Sequence, residues 1–417
     1  MSNTAASTTT TASASTHTSR AHRPHVLIAG GGIGGMAAAL GLLRRGIDVD
    51  IYEQASELRE VGAGVQISAN GNRALQGLGV LDELKALSCE ASGKEIRHWN
   101  SGQTWKLFDL GAESVERYGY PYLTVYRPDL LAVLTAAVQR LKPDALHLKS
   151  RVSDLALADD HVTLTLDDGR TVRGDVLIGG DGVHSRVRQI LFGDDKPHFT
   201  GIIAWRAVVP MQRLPAHMAR LVATNWVGPG GHVVHYPVHE GKMMNVVGAR
   251  ERDDWQVESW STQGTLEECL NDFAGWNDDV HALFRGSDTL FKWALMGREP
   301  MQCWTRGRAT LLGDACHPTL PFLAQGAVHA IEDGYILARC LEAFDDVSHA
   351  LQRYELARRE RTSRMVRGSN ENATRFHNPE LAHKEGAQAY IDREWQPDRV
   401  RERYDWLFTY DVDTAAI

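Results

Sequence analysis

The residues Gly30-Gly31-Gly32-Ile33-Gly34-Gly35 follow directly on the short apolar run His25-Val26-Leu27-Ile28-Ala29. Gly30, Gly32 and Gly35 have the spacing of a turn that ends a strand and opens a helix, with Ile33 and Gly34 inside the same turn. Backbone N–H groups there lie at the positive end of a helix dipole and can approach a pyrophosphate. Glycine leaves room for the close approach. Glu53, followed by Gln54, ends the next apolar stretch eighteen positions beyond Gly35, where an acid can accept hydrogen bonds from ribose hydroxyls. These residues predict a bound dinucleotide and leave NAD and FAD both open.

The elements that must position them can be read from the same chain. Residues 25–29 predict a strand, Met36 to Leu43 a helix, and Val49 to Tyr52 a second strand, a crossover of about thirty residues that opens a doubly wound parallel sheet. Further on, Leu130 to Arg140 reads as a helix, His161 to Leu166 as a strand before the turn Asp167-Asp168-Gly169, and Val176 to Ile178 as a return to the sheet. Between Ile202 and Ala249 the pattern becomes β-rich and is interrupted by Gly228-Pro229-Gly230-Gly231. Residues 308 to 313 predict another buried strand, followed by long helices over 327–344 and 348–367.

A chain of 417 residues with 43% apolar and 24% charged residues has the composition of a folded protein of two lobes. The net charge of −8 argues against a nucleic-acid partner, and no apolar run approaches the ~18 residues of a membrane span. Five scattered cysteines, Cys89, Cys269, Cys303, Cys316 and Cys340, suit free thiols and a cytoplasmic location. His232, His235 and His239 alternate between strand faces without an acidic cluster, so no metal is expected. Residues 1–23, mostly Ser, Thr and Ala, read as a disordered tail.

Two further segments carry a family likeness. Gly174 to Arg188 contains Asp181-Gly182, and Gly313-Asp314-Ala315-Cys316-His317-Pro318 precedes the helix that starts at Gln325-Gly326-Ala327. With the glycine turn, these motifs resemble the class A flavoprotein aromatic hydroxylases, among them salicylate hydroxylase and the 3-hydroxybenzoate 6-hydroxylases, from about Val26 to Asp346. The resemblance implies an α/β fold: a Rossmann-like FAD-binding lobe of the para-hydroxybenzoate-hydroxylase kind, interleaved with a β-sheet substrate lobe and C-terminal helices. On this division residues 24–200 are the first part of the FAD lobe, with some substrate-lobe strands interleaved. Residues 201–300 are the substrate lobe, 301–370 the return to the FAD lobe, and 371–417 a C-terminal region on the outside or at a subunit contact.

The same resemblance implies FAD as cofactor. Asp181 and Gly182 serve FAD and the pyridine nucleotide, Asp314 reaches the ribityl chain, and Pro318 lies near the isoalloxazine. The amides of Gln325, Gly326 and Ala327 support charge on the reduced ring, and Arg127 reaches phosphate or adenine-side groups unless it forms an exposed salt bridge. No second glycine motif is present, so NADH or NADPH binds transiently. In such enzymes dioxygen adds to the reduced flavin as a hydroperoxide, and its distal oxygen passes to an electron-rich aromatic carbon ortho or para to a hydroxyl.

A base near that hydroxyl favours the phenolate. In Gly231-His232-Val233-Val234-His235-Tyr236, which resembles a substrate-contacting strand of the 3-hydroxybenzoate 6-hydroxylases, His232 and Tyr236 are the catalytic candidates and share a face that His235 does not. Arg206 is a carboxylate partner if it faces the pocket and a solvent-facing residue if it does not, and Pro321 is a further substrate contact. The sequence departs from its relatives in two places. Thr319-Leu320-Pro321-Phe322 lacks a substrate-facing glutamine found in some of them, and His329 replaces a common methionine, either to tune the flavin or to pack. The expected partners are a small aromatic acid and O2, with a homodimer as the default assembly. The alternatives are a same-fold monooxygenase acting on a larger natural product or antibiotic, and a flavin-binding protein without turnover.

Overall fold

The apolar run His25–Ala29 lies inside a six-stranded sheet ordered Thr305–Arg306, Ala309–Leu311, Val176–Gly179, His25–Ala29, Asp48–Tyr52, Leu146–His147. Its neighbours pair in parallel except at the Thr305–Arg306 edge. A parallel sheet is covered on both faces, so its strands are continuously apolar rather than alternating; Val26, Leu27, Ile28, Val176, Leu177 and Ile178 have no exposed surface. The structure, a computed structural model, describes residues 23–58, 63–194, 197–254 and 262–417. Nearly all of the expected tail thus lies outside the described residues.

The helix Ile33–Arg44 crosses Gly326–Ala343 at backbone contact. A methyl group at Gly334 would stand 2.5 Å from the Ala38 nitrogen, and one at Gly41 would stand 3.1 Å from the Ala338 Cβ. This close crossing sets the N-termini of both helices beside one cavity.

The second lobe is an eight-stranded sheet ordered Gln263–Gly264, Leu290–Gly297, His198–Pro210, Met243–Glu251, Gly231–Val238, Val222–Gly228, Gly93–His98, Thr104–Phe108. Its last two strands come from early in the chain, so the two lobes interleave. Strand alternation divides its faces. Arg206, Val247, Val234 and Asn225 are register partners across four adjacent strands, and all four look toward the first lobe's cavity. Trp205, Trp226, Val233 and Val246 point the other way, into a core with Phe273 and Phe284.

The C-terminal region corrects the expectation of a peripheral segment. The helix Val347–Phe376 runs nine residues past its expected end and leads into Lys384–Glu394 and Pro397–Phe408. Trp395, Val400, Tyr404, Leu407 and Phe408 are buried in one core with Phe322 and Phe376. The chain then returns to the first lobe, where Val412 is fully buried and Arg339 donates to the carbonyls of Val412 (2.6 Å) and Ala415 (2.9 Å). The apolar stripe recurs at helical spacing among charged residues that occupy the outer face. No described helix is long and apolar enough to cross a membrane.

Candidate active site

The glycine turn is shaped by close approach. Gly30 has φ +102°, and a Cβ there would fall 2.5 Å from the Gly180 oxygen; a Cβ at Gly35 would fall 2.0 Å from the Gly30 oxygen. Gly32 caps the helix Ile33–Arg44 without any side-chain cap, and nothing lies within 4 Å of where its Cβ would be. The first-turn amides, which have no intrahelical partner, therefore open into the cavity that Gly32, Ile33 and Gly34 line. Glu53 stands beside this turn, accepting from the N–H of Gly31 (2.7 Å) and of Ala55 (2.8 Å). Gln54 is exposed and lies away from the cavity lining.

A second uncapped helix start lies opposite. Gly326 and Ala327 line the cavity, while Gln325 holds the helix in place, donating to Ser68 Oγ (2.9 Å) and accepting from Asn70 Nδ2 (3.2 Å). Gly182, Arg127 and Asp314 also line it. Asp314 sits deep in the protein but keeps exposed surface because the cavity opens onto it. Its burial raises the carboxyl pKa, and Arg127, His317 and Arg298 pull it back. Asp181 is turned away from the cavity, accepting from Ser185 Oγ (2.5 Å) and from the N–H of Arg186 (2.7 Å) and Val187 (3.1 Å). It fixes the loop from behind, and Pro318 likewise stands outside the lining.

These residues fit a dinucleotide flavin. Two unsatisfied helix N-termini and a cradle that any Cβ would fill accept phosphate and ring oxygens, and Arg127 supplies a cation at the same cavity. The deep carboxyl of Asp314 provides an acceptor for hydroxyl groups, while Glu53, outside the cavity lining, braces the glycine turn.

The cavity measures about 330 Å³ and extends onto the eight-stranded sheet, where Lys94, Arg206, Asn225, His232, Tyr236 and Trp293 face it. Thr319, Pro321, Phe322 and Phe376 complete the wall. Arg206 is 5% exposed, with its guanidinium carbon 5.4 Å from the ring centres of Phe291 and Trp293, so the solvent-facing alternative is removed. His232 is held between the rings of Phe322 and Phe376, each 5.0 Å away, and its Nδ1 lies 2.7 Å from His377 Nε2. Burial pushes its pKa well below the usual histidine value, and His377 and Lys94 add to the shift. Burial raises the Tyr236 hydroxyl, so both candidates are neutral near pH 7. His235 lies on the opposite face, outside the lining. His239 pairs with Asp129 (2.8 Å), and the described residues contain no metal-binding cluster.

Lys94 was not legible in the sequence. It makes no hydrogen bond or ion pair with any described residue, and burial alone brings its pKa down to about 8. Phe376 and His377, at the end of a helix expected to stop earlier, were also missed, as was Asn225. Nothing local in Lys94-Glu95-Ile96 tied Lys94 to His232, 138 residues further on.

Behind the flavin-side helix lies a buried ionic cluster. Asp333 accepts from Arg358 Nε (2.7 Å), the Gly313 N–H (3.0 Å) and His317 Nε2 (2.7 Å). Glu332 accepts from Asn70 (2.7 Å) and from Arg361 (2.9 Å), and pairs with Arg358 (2.7 Å). His329 is fully buried against this cluster, its Nδ1 3.3 Å from Arg358 Nη2, and it does not line the cavity. It packs.

Comparison with known proteins shows the family. The sequence profile of the FAD binding domain matches residues 23–369. A 3-amino-4-hydroxybenzoate 2-monooxygenase of Streptomyces platensis is 37% identical over 94% of this chain and 97% of its own length. A 6-hydroxynicotinate 3-monooxygenase of Pseudomonas fluorescens is 36% identical over 93% and 95%. A solved salicylate hydroxylase substrate complex superposes with a TM-score of 0.77 at 26% identity, covering 94% of this chain and 97% of that one.

Proposed function

The chain belongs to the class A flavoprotein hydroxylases of the FAD binding domain family, and from that membership we propose that it hydroxylates a small phenolic aromatic acid ortho or para to its hydroxyl, using NADH or NADPH and O2. The observation that carries the substrate class is the placement of a cation without a partner among the described residues, Lys94, on the same cavity wall as the neutral His232. An ammonium withdrawn from bulk solvent onto a cavity wall, half-buried as Lys94 is, is unfavourable without an anion, and a substrate carboxylate supplies one.

FAD would be held by the Gly30–Gly35 turn, Glu53, Arg127, Asp314 and the helix start at Gly326–Ala327, near Pro318, with Asp181 and Gln325 fixing the loops around it. When bound, it would supply the redox chemistry, electron uptake from the nicotinamide and activation of dioxygen. The protein's own part is placement and the exclusion of water. Lys94 takes the carboxylate, and Arg206 closes the opposite end of the wall. Pro321, Phe322, Trp293 and Phe376 enclose the ring. His232 Nε2 accepts the phenolic proton and Tyr236 helps orient the oxygen, which turns the ring into the better nucleophile. The five free thiols suit a cytoplasmic enzyme, and a homodimer is the default assembly.

The test is oxidation of NADH and NADPH by the flavin-loaded protein with 3-amino-4-hydroxybenzoate, 6-hydroxynicotinate, 3-hydroxybenzoate and salicylate. Stimulation by one acid and not by its decarboxylated phenol supports the reading. Equal stimulation by both removes the role given to Lys94.

A further inference from the structure

His232 does not end at its own side chain. Its Nδ1 is 2.7 Å from His377 Nε2, and His377 Nδ1 is 3.0 Å from Glu251 Oε1. His232 and His377 are 2% and 4% exposed, whereas the Glu251 side chain is 56% exposed. Three titratable groups thus join the cavity wall to bulk water in one hydrogen-bonded line. The line draws on the strand Gly231–Val238, its neighbour Met243–Glu251 and the C-terminal end of the helix Val347–Phe376. Its geometry is fixed by the backbone: the Gly230 N–H donates to the His377 carbonyl (3.1 Å) and the Glu251 N–H to the Gly230 carbonyl (2.9 Å).

The carboxylate at the outer end sets the tautomers. An ionised Glu251 only accepts, so His377 Nδ1 carries the proton and its Nε2 holds a lone pair. That lone pair accepts from His232 Nδ1–H. His232 Nε2, which makes no hydrogen bond to a described residue, is left with its lone pair on the cavity side. The base the reaction needs is therefore prepared by a residue two side chains away.

We propose that His232, His377 and Glu251 form a proton relay that carries the phenolic proton from the bound substrate to solvent and returns one at the end of turnover. In the outward direction the phenol O–H breaks as its proton binds His232 Nε2. The Nδ1 proton of His232 passes to His377 Nε2, the Nδ1 proton of His377 passes to Glu251, and Glu251 releases it to water. One proton leaves the substrate, one reaches water, and both rings remain neutral with their tautomers exchanged. The inward direction restores them. The charged groups that bear on the line are Lys94 beside His232, and Arg250 together with Glu251 beside His377. His377 is a positioning and relay residue, since it does not line the cavity.

The proposal rests on the reading of His232 as base, and its test separates the two. Glu251→Gln changes an exposed side chain, and His377→Gln keeps an amide that can bond to both neighbours but cannot pass a proton. Both variants are expected to keep wild-type FAD content. Their product formation from 3-amino-4-hydroxybenzoate should fall roughly tenfold or more on the acid side and recover as pH rises, because substrate then arrives already ionised. Added imidazole should restore His377→Gly. Wild-type rates and an unchanged pH profile in both glutamine variants overturn the relay. If His232→Ala is impaired in the same assay the base reading survives, and if it is not, that reading falls too. A readout that needs no substrate is the 15N spectrum of histidine-labelled holoenzyme. Nδ1–H tautomers at His232 and His377 are expected in the wild type; Nε2–H tautomers at both contradict the proposal.

Discussion

Lys94 and His232 do opposite things with burial. Burial destabilises the charged form of both, so the imidazole stays neutral and available as a base while the ammonium is left poised near pH 8. Lys94→Met should raise KM for an aromatic acid about 10- to 100-fold, the range of a hydrogen bond to a charged group, with little change for the matching phenol without a carboxylate. The pH sign follows from the lowered value. The cation exists below about 8, and a bound carboxylate raises its pKa, so KM for the acid should climb as pH passes 8 in the wild type and stay flat in Lys94→Met. His232→Ala should lower product formation by about 10²- to 10⁴-fold with FAD still bound. His232 was legible because the strand period places it with Tyr236. Lys94 was not, because an unpaired charge is recognisable only once its surroundings are known.

At the level of elements, the glycine turn and the crossed helices do the positioning. Gly334→Leu would push a side chain into the backbone of Ala37 and Ala38, separating the two helix N-termini that face the cavity. Loss of flavin absorbance per protein is expected, whereas retention at wild-type level would mean that the crossing does not set the cradle. The ionic cluster behind it is equally exposed to test. Arg358→Leu leaves Glu332 and Asp333 short of a partner in full burial and should lower stability by about 3–5 kcal/mol, measured by denaturant unfolding of the holoenzyme. Both acids are held well below the usual carboxylate range against the cost of burial, Glu332 by Arg361 and Arg358 and Asp333 by His317 and Arg358. The stability they contribute is present above the ordinary carboxylate pKa and is lost as pH falls toward their folded values. The strands and helices of the first lobe could be read from apolar runs and punctuation, but this cluster could not, since its members come from three separate helices and the segment that holds His317.

The molecule as a whole brings early and late segments to one cavity. Strand Gly93–His98 supplies Lys94, the central sheet supplies Arg206 and His232, and the C-terminal end of the helix Val347–Phe376 supplies Phe376 and the adjoining His377. The two-lobe plan was legible in the change of pattern near residue 202. The C-terminal region was not, because Trp395, Tyr404 and Phe408 are spaced among charges that conceal a buried face. Removing residues 410–417 withdraws Val412 from the core and two carbonyl acceptors from Arg339, and a lower unfolding temperature of the holoenzyme is expected. The most direct test of the central claim is incubation of the FAD-loaded enzyme with NADH or NADPH, the hydroxylated acids named above and 18O2, followed by mass spectrometry of the product. One labelled oxygen on the ring, ortho or para to the original hydroxyl, is the predicted result. Oxidation of the nicotinamide with no labelled ring product from any of these acids would contradict it.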